Sequence, residues 1–405
     1  MSHSLNGRLP LGFTRRQRLS ALGLAVSALG AVALATSAAA PARADYAPGA
    51  NDVVGVGSDV AQYGFDFVAD GDTAGDLGYN DAGNPYKFVY FNAVADGNGR
   101  AAYQNGSTEA DPIPLDPTVV LRGGTYPVQR PSSSGAGISA LISSATNSAD
   151  PTINFAASAS IPTTAQGQEV PGGLHYTQVA TDTLGLATDT TTNAPTLTID
   201  QLLQIYEGND TTWTQVGGTS TDKIIPELPP SGSSVNKTFI ADLTAANGGV
   251  APTLGSDVVT VEQNDPTSIT GASSPADAIV PFSQGRLNLW NGVSGDPSLS
   301  ASSGKGYFHD PTVAYPGDST ALSPGITIET GTGAYKDTLD IYAVFPQTAE
   351  ASTTPWQPGS KLNWAQALFS DPGGPTPYFA SPAGQALLAQ AGLVPDYVDN
   401  AAPIT

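Results

Sequence analysis

The sequence predicts an α/β protein. Short apolar strands alternate with segments of helical spacing from about residue 52 to residue 395, and three of the strand-to-helix connections are Gly/Ser turns. Such alternation argues for α/β layers built on parallel sheets. In open α/β sheets, ligands sit outside the carboxyl ends of strands, where loops enter helices.

The elements follow in order. DVVGVGS (52–58) is an apolar run ending in glycines, a strand and then a turn. YKFVYFNAVA (86–95) and PTVVLRG (117–123) are β-branched or aromatic strands. GISALISSA (137–145) spaces Ile138, Leu141 and Ile142 as a helix does. TINFAAS (152–158) and LHYTQVATDT (174–183) are strands. TLTIDQLLQIYEG (196–208) is a helix, with Thr198 as N-cap and Gly208 as its stop. KIIPELP (223–229) is a short strand and NKTFIADLTAA (236–246) a helix. DAIVPFS (277–283) and TLDIYAVFP (338–346) are strands, and SPAGQALLAQAGLVP (381–395) is a capped helix stopped by Gly392.

Residues 1–44 read as an export signal. Arg15, Arg16 and Arg18 precede an Ala-rich apolar stretch, and Ala42-Arg43-Ala44 offers a cleavage site before Asp45. The Arg15-Arg16 pair followed by Leu19 suggests the twin-arginine route. Cleavage would leave ten of the 15 basic residues against all 36 acids, a net charge of about −26. That balance excludes nucleic acid and anionic lipid as partners. The chain has no cysteine, so it has neither disulfides nor a lipid-carrying thiol, and the mature protein is expected free outside the cell. With three histidines and no thiolate, no thiolate or His-rich zinc site and no cofactor are expected.

The three Gly/Ser loops are GVGSDVAQYGF (55–65), VQRPSSSGAGISALI (128–142) and PPSGSSVNKTF (229–239). On the residues alone they are either three independent helix caps or one place where several helix N-termini meet an anion. Nucleotide fingerprints fail. Gly55-x-Gly57 lacks its third glycine because Val60 stands there, and Ser58 is not in a nucleophile elbow. His175 and His309 are distant and read as surface or loop residues, so no nucleophile–base pair is legible and no enzyme is expected. DGDTAGD (70–76) sets Asp70, Asp72 and Asp76 around Gly75, either a solvated acidic loop or a calcium loop lacking the terminal Glu of an EF-hand.

The loops and the text between them resemble the actinobacterial branch of the phosphate ABC-transporter substrate-binding proteins. The stretches that carry this are VVGVGSDVAQ, RPSSSGAGISALI, INFAASAS, LTIDQLLQIYEGNDTTWTQVGG, VEQNDPTSIT with ADAIVPFSQGRLNL, and the closing helix. They run in the family's order from about residue 52 to 395. The resemblance implies a two-lobed type II periplasmic-binding-protein fold, with two parallel or mixed sheets, flanking helices and a hinge crossed twice. It divides the mature chain into residues 45–178 plus 320–405 and residues 179–319.

The resemblance also implies a ligand set. Gly57, Ser58 and Asp59 match the first loop, and Arg130, Ser133, Ser134 and Gly135 the second. Ser158 survives in the third, where Ala157 and Ala159 replace the family's Arg and second Ser. Ser233 and Ser234 stand in the family's SGT loop, whose Thr and Arg are lost to Val235 and Asn236; Lys237 could supply charge as a point cation. The implied function is an exported monomer binding phosphate or a related oxoanion for an ABC-transporter permease. The alternatives are a module of this fold with another polar ligand, a secreted interaction protein with a vestigial cleft whose Gly/Asp/Asn-rich insertions (70–84, 291–312) are its working surface, and, last, a phosphoester hydrolase.

Overall fold

The computed structural model describes residues 48–71, 76–93, 118–147, 152–290, 325–400 and 402–405. The chain divides into Met1–Ala44 and Asp45–Thr405. The export signal, Asp72, His309 and the insertion at 291–312 lie outside the described residues.

The strands are β1 (Val53–Gly57), β2 (Phe88–Tyr90), β3 (Thr118–Val119), β4 (Val128–Gln129), β5 (Phe155–Ser158), β6 (Leu174–Asp189), β7 (Ile225–Leu228), β8 (Val259–Thr260), β9 (Ala278–Ser283), β10 (Ile326–Ile328), β11 (Lys336–Pro346) and β12 (Val394–Asp399). The helices are α1 (Gln62–Asp70), α2 (Ser134–Asn147), α3 (Thr164–Glu169), α4 (Ile199–Tyr206), α5 (Ser234–Ala246), α6 (Thr267–Thr270), α7 (Gln284–Trp290), α8 (Gln347–Glu350), α9 (Trp364–Leu368) and α10 (Pro382–Gln390). The fold is α/β with a mixed sheet and flanking helices.

Ten strands share one sheet in the order β2-β1-β5-β11-β6-β9-β7-β8, with β10 and β12 also on β6. The β1–β2, β1–β5, β7–β8 and β7–β9 pairs are parallel, the expected α/β pattern in each half. The antiparallel pairs all involve the long β6 and β11 or the strands they recruit, apart from the separate β3–β4 pair. Local periodicity placed a strand at 174–183, but β6 runs on to Asp189, because its second end is held by β9 and β10 rather than by any local signal. The two half-sheets are therefore joined through β6, and the chain passes between them on β6 and returns on β11.

Capping set the helix starts where hydroxyls stood in the sequence. Thr198 makes a capping box with Gln201, and Ser381 accepts from Gly384 N. The core of the first half is aromatic. Phe65 of α1 lies 5.7 Å from Phe155 of β5 and 4.9 Å from Phe379, while Phe88 lies 5.4 Å from Phe155. Burying each such ring contributes about 1.5–3 kcal/mol, and this cluster fixes α1 over β1 and β5. In the second half, Tyr206, Phe239 and Tyr335 pack edge to face at 4.8 and 5.3 Å, tying α4 to α5.

His175 is a correction. The sequence placed it at the surface or in a loop, yet it is fully buried on β6. Its Nε2 lies 2.6 Å from Asp399 Oδ1 and its Nδ1 3.1 Å from Gln347 Oε1, and the ring stacks on Phe345 at 4.9 Å. A buried imidazole needs partners, and β12 and α8 bring them from more than 170 residues away in sequence.

Candidate functional site

β1 ends at Gly57 with φ +132°, and a Cβ there would lie 2.4 Å from Ala157 O. Only glycine fits a backbone that turns so close to β5. A Cβ on Gly137 of α2 would lie 2.5 Å from Gly57 Cα, so α2 docks its first turn directly on the end of β1. Ser58 N then donates to Ala157 O at 2.9 Å, and Ala159 N donates to Ser134 Oγ at 2.9 Å. The loop after β1, the loop opening α2 and the loop after β5 thus meet at the carboxyl ends of β1 and β5.

The loop opening α5 faces them. A Cβ on Gly135 would lie 3.1 Å from Lys237 Nζ, and one on Gly232 would lie 3.5 Å from Ser133 Oγ. The N-termini of α2 and α5 are therefore opposed at close range, the second coming from the other half-sheet. Free N–H groups at such ends carry partial positive charge and favour anions.

The serines divide into two groups. Ser133 Oγ caps α2 through Ala136 N at 3.2 Å, and Ser233 Oγ caps α5 through Asn236 N at 3.0 Å. Ser134 is spent on Ala159 N, and Ser158 Oγ is spent on Ser160, donating to its carbonyl at 2.6 Å. Ser58 and Ser234 differ. Both are at least 98 % buried, and neither hydroxyl has a hydrogen-bond partner. Ser58 follows β1, just ahead of α1, whose start has no side-chain cap, and Ser234 opens α5.

Asp59 is buried and engaged. Its Oδ1 receives Arg286 Nη2 at 3.1 Å, and its Oδ2 receives Asn264 Nδ2 at 2.6 Å and Gln263 Nε2 at 3.1 Å. Arg286 Nη2 also donates to Asp59 O at 2.5 Å, and its guanidinium sits 4.4 Å from the centroid of the Tyr63 ring. Asn264 adopts φ +53°, a left-handed conformation that lets its Oδ1 accept Ser283 N at 3.0 Å. Arg130 is buried and donates to Asn92 O at 3.1 Å. Behind these cations lies Asp66 on α1. Burial, then Asp70, push its carboxyl well above the usual carboxylate range, against the pull of Arg286 and Arg130.

Of the ligand residues the sequence suggested, Gly57, Ser58 and Ser134 meet at the ends of β1 and β5, and Ser133 and Gly135 approach Gly232 and Lys237; Arg130 is bonded to Asn92 O, Asp59 is taken by Arg286, and the Ser158 hydroxyl turns back on its own loop. The structure adds Arg286, Gln263 and Asn264. These lay in the stretches VEQNDPTSIT and ADAIVPFSQGRLNL, but nothing in their spacing pointed at the loop after β1. The Arg that the resemblance places in the SGSSVN loop is Asn236 here, and the buried guanidinium of Arg286 on α7 pairs with Asp59.

The two described acids of the acidic run are engaged. Asp70 is buried and accepts from Asn80 Nδ2 at 2.9 Å, and Asp76 accepts from Gln390 Nε2 at 2.7 Å. One further cluster has metal-ligand residues, His175, Glu350 and Asp399, with ligand atoms within 4.8 Å of one another. Both ring nitrogens and both carboxylates already carry protein hydrogen bonds, from Thr177, Ser370, Gln347 and Asp371 N among others. The cluster reads as a lock between β6, α8 and β12. Among the described residues, no helix is long and apolar enough to cross a membrane.

No protein-family model and no curated protein matches the chain. Solved structures do. A phosphate ABC-transporter substrate-binding protein from Clostridium perfringens, with bound phosphate, is 13% identical, with 85% of this chain and 99% of that one covered and a TM-score of 0.49. An ABC-type phosphate transport receptor from Vibrio cholerae is 14% identical, with 85% and 99% covered and a TM-score of 0.43. PstS from Borrelia burgdorferi is 16% identical, with 85% and 98% covered and a TM-score of 0.40.

Proposed function

We propose that this chain is an exported solute-binding protein that holds phosphate or a similar oxoanion between its two half-sheets and delivers it to an ABC-transporter permease. The observation that carries the reading is the pair of buried, partnerless hydroxyls, Ser58 and Ser234, at opposed loops. An unpaired buried hydroxyl costs about 1–3 kcal/mol, and an anion between the loops would accept from both. The N–H groups opening α2 and α5, with Lys237 beside them, add positive potential against the chain's overall negative charge.

In this reading residues 45–178 with most of 320–405 form one lobe and residues 179–319 the other, with β10 and Tyr335 packed on the second, and they close by a hinge at β6 and β11. The role in this reading is binding rather than hydrolysis: the free hydroxyls of Ser58 and Ser234 and the Lys237 ammonium can donate to an anion, and His175 is committed elsewhere.

Thermal melts of residues 45–405 with and without millimolar phosphate, arsenate and sulfate test this. Anion at about 100 times its dissociation constant should add about 2.7 kcal/mol of stability. No shift with any oxoanion overturns the reading and favours another polar ligand or an interaction role.

A further inference from the structure

We infer that Asp182, on the crossing strand β6, is the positioning residue for Arg286 and, through it, for the anion site. The inference rests on the reading that Arg286 belongs to that site. Asp182 is 3 % exposed. Its Oδ1 accepts Gly285 N at 2.8 Å, and its Oδ2 accepts the Ser283 hydroxyl. Ser283 Oγ in turn accepts Arg286 N at 2.9 Å. One carboxylate therefore ties down the first turn of α7, directly and through one hydroxyl.

The approach is tight. A Cβ on Gly285 would lie 3.0 Å from Asp182 Oδ1 and 2.8 Å from Gly392 O, so the turn can sit against the carboxylate only with glycine at 285. Held there, Arg286 stretches across to Asp59 and Tyr63 in the other half. A loosened first turn would let the long side chain sample its many rotamers and lose that reach.

The location gives this contact its meaning. Asp182 pairs with Leu339 of β11, and two residues later Leu184 pairs with Ser283 of β9. The carboxylate thus stands where β6 passes from one half-sheet to the other. Any bend of β6 there moves the cap, and with it the guanidinium. No local pattern in TDTLGLA marks Asp182, because its partners lie about 100 residues on.

Only four arginines lie beyond residue 44, namely Arg100, Arg122, Arg130 and Arg286, so their side-chain Nε–H signals can be assigned by substitution. The test follows the Arg286 signal in wild type, Asp182→Asn and Ser283→Ala, and titrates phosphate into these and into Arg286→Gln and Asp182→Asn/Arg286→Gln. The inference expects the Arg286 signal to collapse to the free-arginine position in both cap variants. It expects at least a tenfold loss of phosphate affinity in Asp182→Asn, and no further loss when Asp182→Asn is added to Arg286→Gln. An unmoved signal, or losses that multiply in the double variant, overturns it. If the signal moves but wild type takes up no phosphate, the oxoanion reading falls while the hold of Asp182 on Arg286 stands.

Discussion

Arg286 and Asp59 meet as a buried ion pair at 3.1 Å, each less than 6 % exposed, although one opens the helix after β9 and the other follows β1. They join the two half-sheets across the candidate site, and Gln263 and Asn264 complete the carboxylate's coordination. Removing one partner of a buried pair strands the other's charge, which costs about 3–5 kcal/mol. Asp59→Ala should therefore lower unfolding stability by about that amount in urea melts. Asp59→Asn, which keeps a carbonyl acceptor, should lose less.

Gly57→Ala should destabilise by about 2–4 kcal/mol, since it adds a methyl 2.4 Å from Ala157 O at φ +132°. Urea denaturation checks this. Gly83→Ala is the control, because a Cβ there meets nothing within 4 Å and only the φ of +79° opposes it.

Ser134→Ala should cost about 1–2 kcal/mol with or without phosphate, because it leaves the buried Ala159 N–H unpaired. Ser143→Ala, exposed on the same helix, should change stability by less than about 0.5 kcal/mol. Paired thermal melts of the two variants, with and without anion, read this contrast.

Buried acids should make the protein more stable on mild acidification. Burial raises Glu227 and Glu329 to about 7 and Asp182 to about 6. A carboxyl raised in the fold binds more protons folded than unfolded, so stability falls as pH rises through that window. Melting temperature should climb from pH 8 to about pH 6, and Glu227→Gln with Glu329→Gln should flatten the slope.

His175 should contribute in the same direction. Burial opposes its charge, but Asp399, Glu350 and Gln347 raise its pKa above the usual histidine value of 6.5. Its contribution is full below about 6.5 and is lost as pH rises through the raised value. Asp399, lowered by His175, Asp371 N and Thr177 despite burial, contributes above 3.8 and loses that contribution as pH falls through its lowered value. His175→Gln should remove the upper part of this profile in pH-dependent melts.

The legible part of the fold was local. Thr198 and Ser381 cap the helices their sequence positions suggested, while Ser233, read as a ligand, caps a helix that starts two residues earlier than the sequence reading; Gly208 and Gly392 end theirs at φ +79° and +85°. The Gly/Ser loops could be read because strand, turn and helix are contiguous there. The rest depends on contacts across long separations. The last residues of β6, the partners of His175, and the reach of Arg286 to Asp59 over 227 residues leave no periodicity behind. The same limit hid which serines were free. Ser58 and Ser158 look alike in sequence, and only the turn at Ser160 and the close pass of Ala157 separate them.

The most direct measurement is a calorimetric titration of phosphate into residues 45–405 and into its Ser58→Ala/Ser234→Ala variant. The proposed site predicts one saturable event per wild-type chain. It predicts at least a tenfold weaker one in the variant, whose anion-free melting temperature is equal or higher because two unpaired hydroxyls are gone. Phosphate that fails to bind wild type, or binds the variant equally well, contradicts it.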